Sequence, residues 1–457
     1  MGPSISARRE AARARRRHLL GLEPHEALTL VPAGLRVSRP GTDAFYTFRQ
    51  HDDFTWATGL QVEGGVLARD GECWTLFAPV PDVDDRVWHG SPPDLATLAE
   101  ATGVEEVQPR EALQDWLLAR TGRAIQFAGH PDFAERCADY DVQPTAFEKL
   151  AFDPEGSARL GAALVARRRL KDDVELGWLR EAARATAAGH AEGMRSVRPG
   201  MTEQALCVEI EAGFRRAGAQ GPAYDSIVAG GPNAAVLHAA PTERPFAEDD
   251  LVLVDAGAEV AGYDGDVTRV FPAGGRFSAR ARDLYAAVFR VQEQAVAGVR
   301  AGVEFRDLHM QASVGLAEGL VDLGVLRGRP EDLVAQDAHA VFFPHGLGHL
   351  LGLATHDVGG YAEGRTRSTR PGLRYLRADV TLAPGMVLTI EPGLYFIPAL
   401  LDDPQVRETH AARIDFEAAA AFVPVGGVRI EDDVHVTDGE PEVLSAGVPK
   451  SLSDLET

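Results

Sequence analysis

A glycine-rich stretch in the C-terminal half of the chain contains three histidines. Residues 344–360, PHGLGHLLGLATHDVGG, place His345, His349 and His356 among five glycines. Neutral imidazole is the commonest nitrogen ligand of metals and a common proton carrier near neutral pH. The stretch therefore predicts a metal or proton-transfer site, with histidines that cap or fill a core as the alternative. The spacing alone does not decide which histidine would bind a metal.

His345 and His349 have the i, i+4 spacing of zinc peptidases that carry an HExxH helix. The residues between them are Gly346, Leu347 and Gly348, so this motif has no glutamate here. Each glycine would destabilise a helix by about 1 kcal/mol relative to alanine. The sequence therefore predicts an extended or looping backbone at this position and not an HExxH helix.

Two aspartates lie beside predicted strands. The segment LVLVDAGAEVAGYDGDVTRVFP, residues 251–272, predicts two strands, the first ending at Asp255 and the second beginning at Asp266. A turn near 260–261 would place the two carboxylates almost opposite each other, whereas a turn at 264–265 would break that register. A buried aspartate in a strand needs a partner such as a cation. For each aspartate alone, a role in a turn or helix cap is the alternative.

Two glutamates follow the same pattern further along the chain. Glu391 directly follows the run VLTI and precedes a Pro-Gly pair. In GGVRIEDDVHV, residues 426–436, strict alternation would place Arg429 and Glu431 on one face of a strand. A solvated edge strand is the alternative for this second segment.

Two aspartates, two glutamates and one histidine together form an oxygen-rich set of potential ligands. Such a set suits two divalent ions bridged by carboxylates, and manganese or cobalt fits it better than a metal that prefers thiolates. Without cations, four converging carboxylates would repel one another and take up protons. A pair of metal ions would remove this repulsion and supply hydroxide at neutral pH.

The composition indicates a globular protein with an acidic surface. The 457 residues are 45% apolar, and the formal net charge is -22 with a pI near 5.1. This charge disfavours nucleic acid as a partner, and no apolar run reaches the roughly 18–20 residues of a membrane helix. The cysteines at 73, 137 and 207 form no CxxC pair and fit a reducing compartment. We therefore expect a cytoplasmic protein without nucleic-acid or membrane partners.

The patterns divide the chain into two units, residues 1–168 and 172–457. The first unit alternates helix and strand patterns, and its basic run from Arg8 to Arg17 is predicted on the exposed face of a first helix. Its strands are predicted at 27–34 and 124–130, its hairpin at 64–80, and its further helices at 93–102, 110–121 and 156–169. In the second unit, long helices are predicted from 172 or 173 to 199, at 202–218 and at 279–299.

The acidic and histidine motifs carry a resemblance to a known family. Asp255, Asp266, His349, Glu391 and Glu431 stand in the contexts VDAG, GDVTR, HGLGH, IEPGLY and VRIEDD. These contexts resemble the five ligand motifs of the pita-bread metallopeptidases, in particular the proline-specific ones. In the first unit, FRQHDDFTWATGL and RVWHG resemble the creatinase-like N-terminal domain of that family.

The resemblance covers essentially the whole chain and implies an α/β (α+β) fold. It implies a creatinase-like N-terminal α/β domain at 1–168 and a pita-bread catalytic domain at 172–457. The catalytic domain would contain a curved, mainly antiparallel sheet flanked by helices.

Two branches of the family fit the motifs. The segment between His356 and Glu391 and the long insert between Glu391 and Glu431 resemble the Xaa-Pro dipeptidase (prolidase) of the eukaryotic type. Arg377 matches the arginine that binds the free carboxylate of a dipeptide in that type, and a solvated loop arginine is the alternative. Because much of the remaining sequence is common to both branches, an Xaa-Pro aminopeptidase (aminopeptidase P) acting on longer Xaa-Pro peptides is the alternative function.

The resemblance implies that two divalent ions, manganese or alternatively cobalt or zinc, are bound by the five motif residues. A hydroxide bridging the ions would attack the carbonyl of the Xaa-Pro bond. Glu391 would be the general base that passes a proton toward the proline nitrogen, and Glu431 would bridge the ions.

Residues around the ligands also receive roles from the resemblance. His238 and His356 would polarise the carbonyl, stabilise the oxyanion or bind the substrate carboxylate. Arg429 would orient the carboxylates. Tyr224 and Trp88 would contact the proline, with Trp88 reaching in from the partner subunit of a homodimer. Ordinary core packing is the alternative for both aromatic residues.

One position departs from the family pattern. Pro232, in AGGPN, replaces a glutamate that precedes the substrate histidine, which affects the local loop but removes no ligand. Two other classes share the fold: a creatinase-like amidinohydrolase needs no metal, and a non-catalytic binding module would have lost ligands. The complete ligand set disfavours both.

Overall fold

The computed structural model describes residues 2–20, 27–128 and 137–456. The chain forms two compact units, one up to Arg168 and one from Arg169 onward. The strand predicted at 124–130 is observed as far as Phe127, and its last two residues lie outside the described part. Among the described residues, no helix is long and apolar enough to cross a membrane.

The first unit contains one mixed sheet. Its strands are β1 (Leu28–Pro32), β2 (Val66–Asp70), β3 (Cys73–Ala78), β4 (Glu106–Pro109), β5 (Ala124–Phe127) and β6 (Ala151–Phe152). Their order in the sheet is β4-β3-β2-β1-β5-β6, and the central β1–β2 and β2–β3 pairs are antiparallel. The helices are α1 (Ile5–Leu20), α2 (Asp52–Thr58), α3 (Val83–His89), α4 (Leu95–Thr102), α5 (Ala112–Leu118), α6 (Pro144–Phe147) and α7 (Pro154–Arg168).

The hairpin predicted at 64–80 is confirmed as β2 and β3. Asp70 pairs with Cys73 across a two-residue turn, and Gly71 has φ 62° there. Alternate strand residues enter the core of the unit, because successive side chains of a strand point to opposite faces. Leu28 and Leu30 of β1 are fully buried in that core.

The predicted first helix is present, but its basic run is not entirely exposed. Arg15 donates a hydrogen bond to the carbonyl oxygen of Trp56 at 3.0 Å. Arg16 donates to the carbonyl oxygens of Ala57 at 2.7 Å and Thr102 at 3.0 Å. The prediction is therefore wrong for these two arginines, which connect α1 to α2 and α4. A buried guanidinium needs such acceptors because burying an unpaired charge is very costly.

The second unit contains nine helices and eleven strands among the described residues. The helices are α8 (Asp173–Ser196), α9 (Glu203–Arg216), α10 (Ala279–Gly298), α11 (Phe305–Asp322), α12 (Pro330–Ala335), α13 (Pro398–Leu401), α14 (Pro404–His410), α15 (Phe416–Ala420) and α16 (Leu452–Leu455). The strands are β7 (Gly221–Pro222), β8 (Ile227–Gly230), β9 (Leu251–Asp255), β10 (Ala258–Val260), β11 (Tyr263–Asp264), β12 (Thr268–Pro272), β13 (Val387–Ile390), β14 (Gly393–Tyr395), β15 (Gly427–Arg429), β16 (Asp432–His435) and β17 (Glu442–Val443).

These strands form four small antiparallel sheets, β7-β10-β11, β8-β9-β12, β13-β16-β17 and β14-β15. Helix α8 starts at the predicted cap, Asp172. The Asp172 side chain accepts hydrogen bonds from the backbone of α8, and the Glu175 carboxylate accepts one from the Asp172 amide. Such a capping box pairs amides that have no partner within the helix. The buried faces of α8 to α11 and the sheets form one core.

The register of the aspartate hairpin differs from both predicted arrangements. The tight turn lies at Ala261-Gly262, with φ 54° and 84°, and the 264–265 turn does not form because Asp264 belongs to β11. In the β9–β12 ladder, Asp255 pairs with Thr268 and not with Asp266. Asp266 precedes β12 by two residues, so both aspartates still lie at the same end of this ladder.

The two glutamates lie where strands pass from one sheet to another. Ile390 pairs with Asp432 in the β13–β16 ladder, and Gly393 pairs with Arg429 in the β14–β15 ladder. Glu391 and Glu431 lie in the break between these two ladders, across from each other. The single strand predicted for 426–436 is therefore two strands. Residues 427–435 are all buried, so the alternative of a solvated edge strand is wrong.

Candidate metal centre

Three of the five predicted ligands form a compact buried group. Asp266, His349 and Glu431 each offer a ligand atom, and these atoms lie within 4.8 Å of one another. His349 Nε2 lies 3.4 Å from Asp266 Oδ2. Two atoms bound about 2.1 Å from one ion are separated by about 3.0–3.4 Å. The spacing therefore suits ligands of a shared metal ion.

The other two predicted ligands adjoin this group. The Tyr224 hydroxyl lies 2.6 Å from Asp255 Oδ1 and 2.5 Å from Asp266 Oδ1, so the two aspartates face each other across one phenol oxygen. Glu391 Oε1 lies 3.8 Å from His349 Nε2. All five side chains predicted as ligands thus face one small region. The hydroxyl of Tyr224, a residue predicted to contact proline, touches both aspartates directly.

The backbone hydrogen bonds of the HGLGH motif explain how the His349 side chain is oriented. The Thr389 amide donates to the His349 carbonyl at 2.9 Å, and the Glu391 amide donates to the Leu347 carbonyl at 2.8 Å. The segment thus follows β13 in an extended path, which confirms the prediction against an HExxH helix. Gly348 permits this approach, because a β-carbon there would lie 1.9 Å from the Thr389 carbonyl oxygen.

The hydrogen bonding of His349 leaves one nitrogen available. Its Nδ1 lies 3.1 Å from the Leu350 carbonyl oxygen, which can only accept, so Nδ1 carries the proton. Nε2 of the neutral ring then directs a lone pair toward Asp266 and Glu391. This arrangement is repulsive unless a proton or a cation lies between the groups. Although burial lowers the pKa of His349, its hydrogen bond and charge interactions with Asp266 raise this pKa overall.

The carboxylates themselves are electrostatically strained without positive charge. Burial, followed by repulsion from the neighbouring carboxylates, raises the pKa of Glu431 well above its ordinary value. Burial also raises the pKa of Glu391, to about 7, and that of Asp266. Divalent cations would reverse these shifts, since they favour the charged form of each ligand. The donor set of four carboxylates and one imidazole therefore fits metal ions of the oxygen-preferring type.

Arg429 lies beside the carboxylates. Strand alternation placed it on one face with Glu431, but its guanidinium pairs directly with Asp255. Its guanidinium donates to Asp255 Oδ2, to the Thr268 hydroxyl at 3.0 Å and to the Tyr395 hydroxyl at 2.6 Å. The Thr268 hydroxyl in turn donates to Glu431 Oε2 at 2.6 Å. Arg429 thus holds Asp255 directly and Glu431 through Thr268.

Sequence reasoning missed a second buried network directly behind Glu431. Arg269 donates to the Glu431 carbonyl oxygen at 2.6 Å and to the Asp432 carboxylate at 2.7 Å. Burial would raise the pKa of Asp432, but the charges of Arg269 and Lys450 lower it overall. The remaining donors to Asp432, each at 2.7 Å, are Gln292 Nε2, Ser445 Oγ and Lys450 Nζ. The only sequence feature that pointed to this network was the position of Asp432 next to Glu431.

The other histidines of the motif border the metal centre. His345 Nδ1 lies 2.8 Å from the Gly346 carbonyl oxygen, so its Nε2 accepts from the Tyr395 hydroxyl at 2.9 Å. Burial and the charge of Arg429 lower the pKa of His345 to about 3. His345 is therefore neutral and is oriented by Tyr395, which sequence reasoning also missed.

His356 and its neighbours form the exposed rim of the site. The His356 ring lies 4.3 Å from the His349 ring, centroid to centroid, and the side chain is exposed. Burial of its inner part and the charges of His349 and Arg377 lower the pKa of His356 to about 3. The charge of His238 also acts on this pKa. His238 and Arg377 are both exposed, so three of the residues predicted to contact substrate lie at the surface.

The loop with the unexpected proline keeps its shape through another residue. Pro232 is exposed, and the adjacent Asn233 donates to Glu203 Oε1 at 2.9 Å. The Gly230 amide donates to the same oxygen at 2.9 Å. Glu203 thus holds this loop. Trp88 belongs to the first unit and is 79% exposed, so the alternative of core packing is wrong for it.

Comparisons with known proteins agree with this geometry. Residues 177–438 match Metallopeptidase family M24, and residues 12–125 match the N-terminal domain of aminopeptidase P. The Xaa-Pro dipeptidase of Homo sapiens is 34% identical over 443 residues, covering 94% of this chain and 88% of that protein. The Xaa-Pro aminopeptidase of Escherichia coli strain K12 is 33% identical over 463 residues, covering 98% and 97% of the two chains.

Solved structures show the same relationship. The aminopeptidase PepP of Pseudomonas aeruginosa has a TM-score of 0.84 and 31% identity, covering 99% of this chain and 97% of its own. The proline aminopeptidase P II of Yersinia pestis has a TM-score of 0.82 and 31% identity, covering 98% of both chains. These findings confirm the expected fold class and the resemblance seen in the sequence motifs. The chain belongs to metallopeptidase family M24.

Proposed function

We propose that this protein hydrolyses the Xaa-Pro bond of dipeptides and uses two divalent metal ions to do so. Manganese is the metal that we propose. The observation that carries this proposal is the convergence of Asp255, Asp266, His349, Glu391 and Glu431 on one buried region. When bound, the ions would lower the pKa of water and polarise the scissile carbonyl. Relatives that act on Xaa-Pro peptides cover almost the whole chain.

The roles of the surrounding residues follow from their positions. Glu391 accepts the proton of the attacking water and passes it toward the proline nitrogen, because its carboxylate lies beside the other ligand groups and is only partly buried. Glu431 would hold the ions together with the other four predicted ligands, and Arg429 keeps Asp255 in place. His356 and His238 stabilise the carbonyl oxygen as charge develops on it. Tyr224 is placed to orient Asp255 and Asp266.

The dipeptidase assignment rests on Arg377. This exposed arginine lies close enough to His356 to lower its pKa, so a free carboxylate beside His356 would meet a positive charge. The second candidate function is that of an Xaa-Pro aminopeptidase, because the two classes of relatives match with similar identity, 34% and 33%. A longer peptide places an amide at this position and would gain nothing from Arg377.

Removal of metal should abolish activity. We expect the chelated protein to be inactive toward Ala-Pro and to regain activity with two manganese ions per chain, measured by elemental analysis.

Glu391→Gln should lower kcat by about 10²–10⁴ because it removes the proton acceptor. Asp249→Asn, at an exposed acidic position, is the control and should retain full activity. Full activity in the metal-free protein would contradict the proposal and favour a metal-independent hydrolase.

Arg377 should decide between dipeptides and longer peptides. The manganese-loaded protein should cleave Ala-Pro faster than Ala-Pro-Ala, and Arg377→Met should remove this preference by raising KM for Ala-Pro about tenfold or more. Arg374→Met changes an exposed arginine of the same loop that stacks on Tyr375 and serves as the control. Faster cleavage of Ala-Pro-Ala by the wild type would instead support the aminopeptidase.

Lys450 should influence metal binding although it touches no ligand. Lys450→Met removes one of two positive charges at Asp432, so Glu431 beside it should be held less firmly. We expect manganese affinity, measured by calorimetry, to fall about tenfold. Lys149→Met replaces an exposed lysine and is the control. Equal manganese affinity in the two variants would show that the Asp432 network does not support the centre.

We further propose that the protein is a homodimer that uses α3. This helix has no buried residue, and Val83, Val87 and Trp88 are 66%, 73% and 79% exposed. Phe45 lies beside the end of the helix, 6.1 Å from the ring of His89. Exposed apolar surface of this kind indicates an interface.

The dimer can be tested by sedimentation. Trp88→Ser should weaken self-association at least tenfold, because the most exposed aromatic side chain of the surface is lost. Val208→Ser, at a site 64% exposed in α9, is the matched control. A monomeric wild type, or dimers of equal strength in both variants, would contradict the use of α3.

A further inference from the structure

The segment that carries Arg377 is closed into a loop by backbone pairing. We call residues 361–379 the Arg377 loop. The Asp379 amide donates to the Gly360 carbonyl oxygen at 2.6 Å, and the Ala362 amide donates to the Asp379 carbonyl oxygen at 3.1 Å. Tyr361 and Asp379 form a parallel bridge there. These backbone contacts hold the two ends of the loop, which we call its neck, next to each other.

Buried ion pairs and hydrogen bonds fix both ends of the Arg377 loop. At the neck, the fully buried Asp379 carboxylate accepts hydrogen bonds from Arg306 and from Arg365 Nη1, the latter at 2.8 Å. At the tip, Arg370 Nε donates to Asp337 Oδ1 at 2.9 Å. These contacts hold the loop as a whole, but none of them acts on Arg377 itself.

Two further contacts act on the peptide groups on either side of Arg377. The Tyr361 hydroxyl donates to the Leu376 carbonyl oxygen at 2.7 Å, which belongs to the peptide group preceding Arg377. The Arg377 carbonyl oxygen, in the following peptide group, packs directly on Gly360. A β-carbon at Gly360 would lie only 2.2 Å from this oxygen. Because the Cα–Cβ bond leaves the backbone in a direction set by the two flanking peptide planes, these contacts fix the point and the direction from which the Arg377 side chain starts.

The same stretch packs against the metal-binding motif. The backbone of residues 375–377 lies against Gly346, between His345 and His349 in the sequence. A displacement of Arg377 is therefore a displacement relative to the histidines. An arginine pairs with a carboxylate through two parallel hydrogen bonds, so small errors in its direction weaken the pair.

We propose that Tyr361 and Gly360 are positioning residues that make Arg377 a gauge of substrate length. Tyr361 holds one peptide group of Arg377, and Gly360 makes room for the other. The main chain from which the Arg377 guanidinium extends toward the substrate carboxylate is thereby held in place beside the histidines. This inference rests on the proposed function, since it requires that Arg377 binds the carboxylate.

The test compares two substrates that differ only in the carboxylate, Ala-Pro and Ala-prolinamide. Tyr361→Phe keeps the ring and removes the hydroxyl, so it should raise KM for Ala-Pro about tenfold while kcat changes less than twofold. KM for Ala-prolinamide should stay unchanged, because this substrate does not use Arg377. Tyr375→Phe is the matched control, since Tyr375 lies in the same loop and is 53% exposed. It should behave as the wild type.

Gly360→Ala provides a second, stronger change. Its β-carbon should push the Arg377 carbonyl away and raise KM for Ala-Pro beyond the value of Tyr361→Phe. KM for Ala-prolinamide should not rise equally. Circular dichroism and manganese content should match the wild type.

The outcomes separate the inference from the proposed function. A wild type that binds Ala-Pro no better than Ala-prolinamide would overturn the dipeptidase assignment and the inference together. A wild type that prefers Ala-Pro, with Tyr361→Phe and Tyr375→Phe alike, would overturn the inference alone. Equal rises of KM for both substrates in Tyr361→Phe would also overturn it, because that result indicates a general structural defect.

Discussion

The repulsion between carboxylates gathered in one buried region is the constraint on which the catalytic unit depends. Asp255, Asp266, Glu391 and Glu431 come from four separate places in the sequence, and burial and mutual charge raise the pKa of three of them. Such a cluster persists only with positive charge beside it. Arg429 supplies part of this charge through Asp255, and the free nitrogen of His349 completes a donor set suited to divalent cations.

The strands of this unit are arranged to meet that constraint. Asp255 and Asp266 lie at one end of the β9–β12 ladder, and Glu391 and Glu431 lie at a break between two other ladders. At a strand end, a side chain can turn toward a centre without losing hydrogen bonds of the sheet. The Arg269–Asp432 network then fixes the chain on the far side of Glu431. Arg429 and Arg269 thus lie behind the carboxylates and limit the movement of Asp255 and of the chain at Glu431.

The residues that we propose to contact substrate are positioned differently. His356, His238 and Arg377 are exposed, as contact with a substrate that arrives from water would require. Their precision therefore comes from the backbone beneath them and not from burial of the side chains. The Arg377 loop shows this clearly, since its neck, tip and the peptide groups of Arg377 are all anchored while the guanidinium stays free. A rigid backbone under an exposed cation is what recognition of a small carboxylate requires.

Much of this protein could be predicted from the sequence, where local chemistry leaves few choices. Glycines inside HGLGH exclude a helix, the Asp70-Gly71 pair specifies a hairpin, and Asp172 caps a long helix. The five residues proposed as ligands were also singled out in the sequence, because buried carboxylates at strand ends have few explanations and their motifs occur together in order. Resemblance, rather than residue spacing, selected His349 among the three histidines.

Only the tertiary structure decided the remaining points, since they depend on contacts between distant parts of the chain. The tight turn at Ala261-Gly262 pairs Asp255 with Thr268, a register that neither predicted turn would produce. Strand alternation could not show that Arg429 binds Asp255, because the chain passes between two sheets beside it. Arg16 could not be recognised as buried, because its acceptors lie 41 and 86 residues away. Local sequence sets backbone preferences and charge, whereas partners and register are set by the packing of the whole unit.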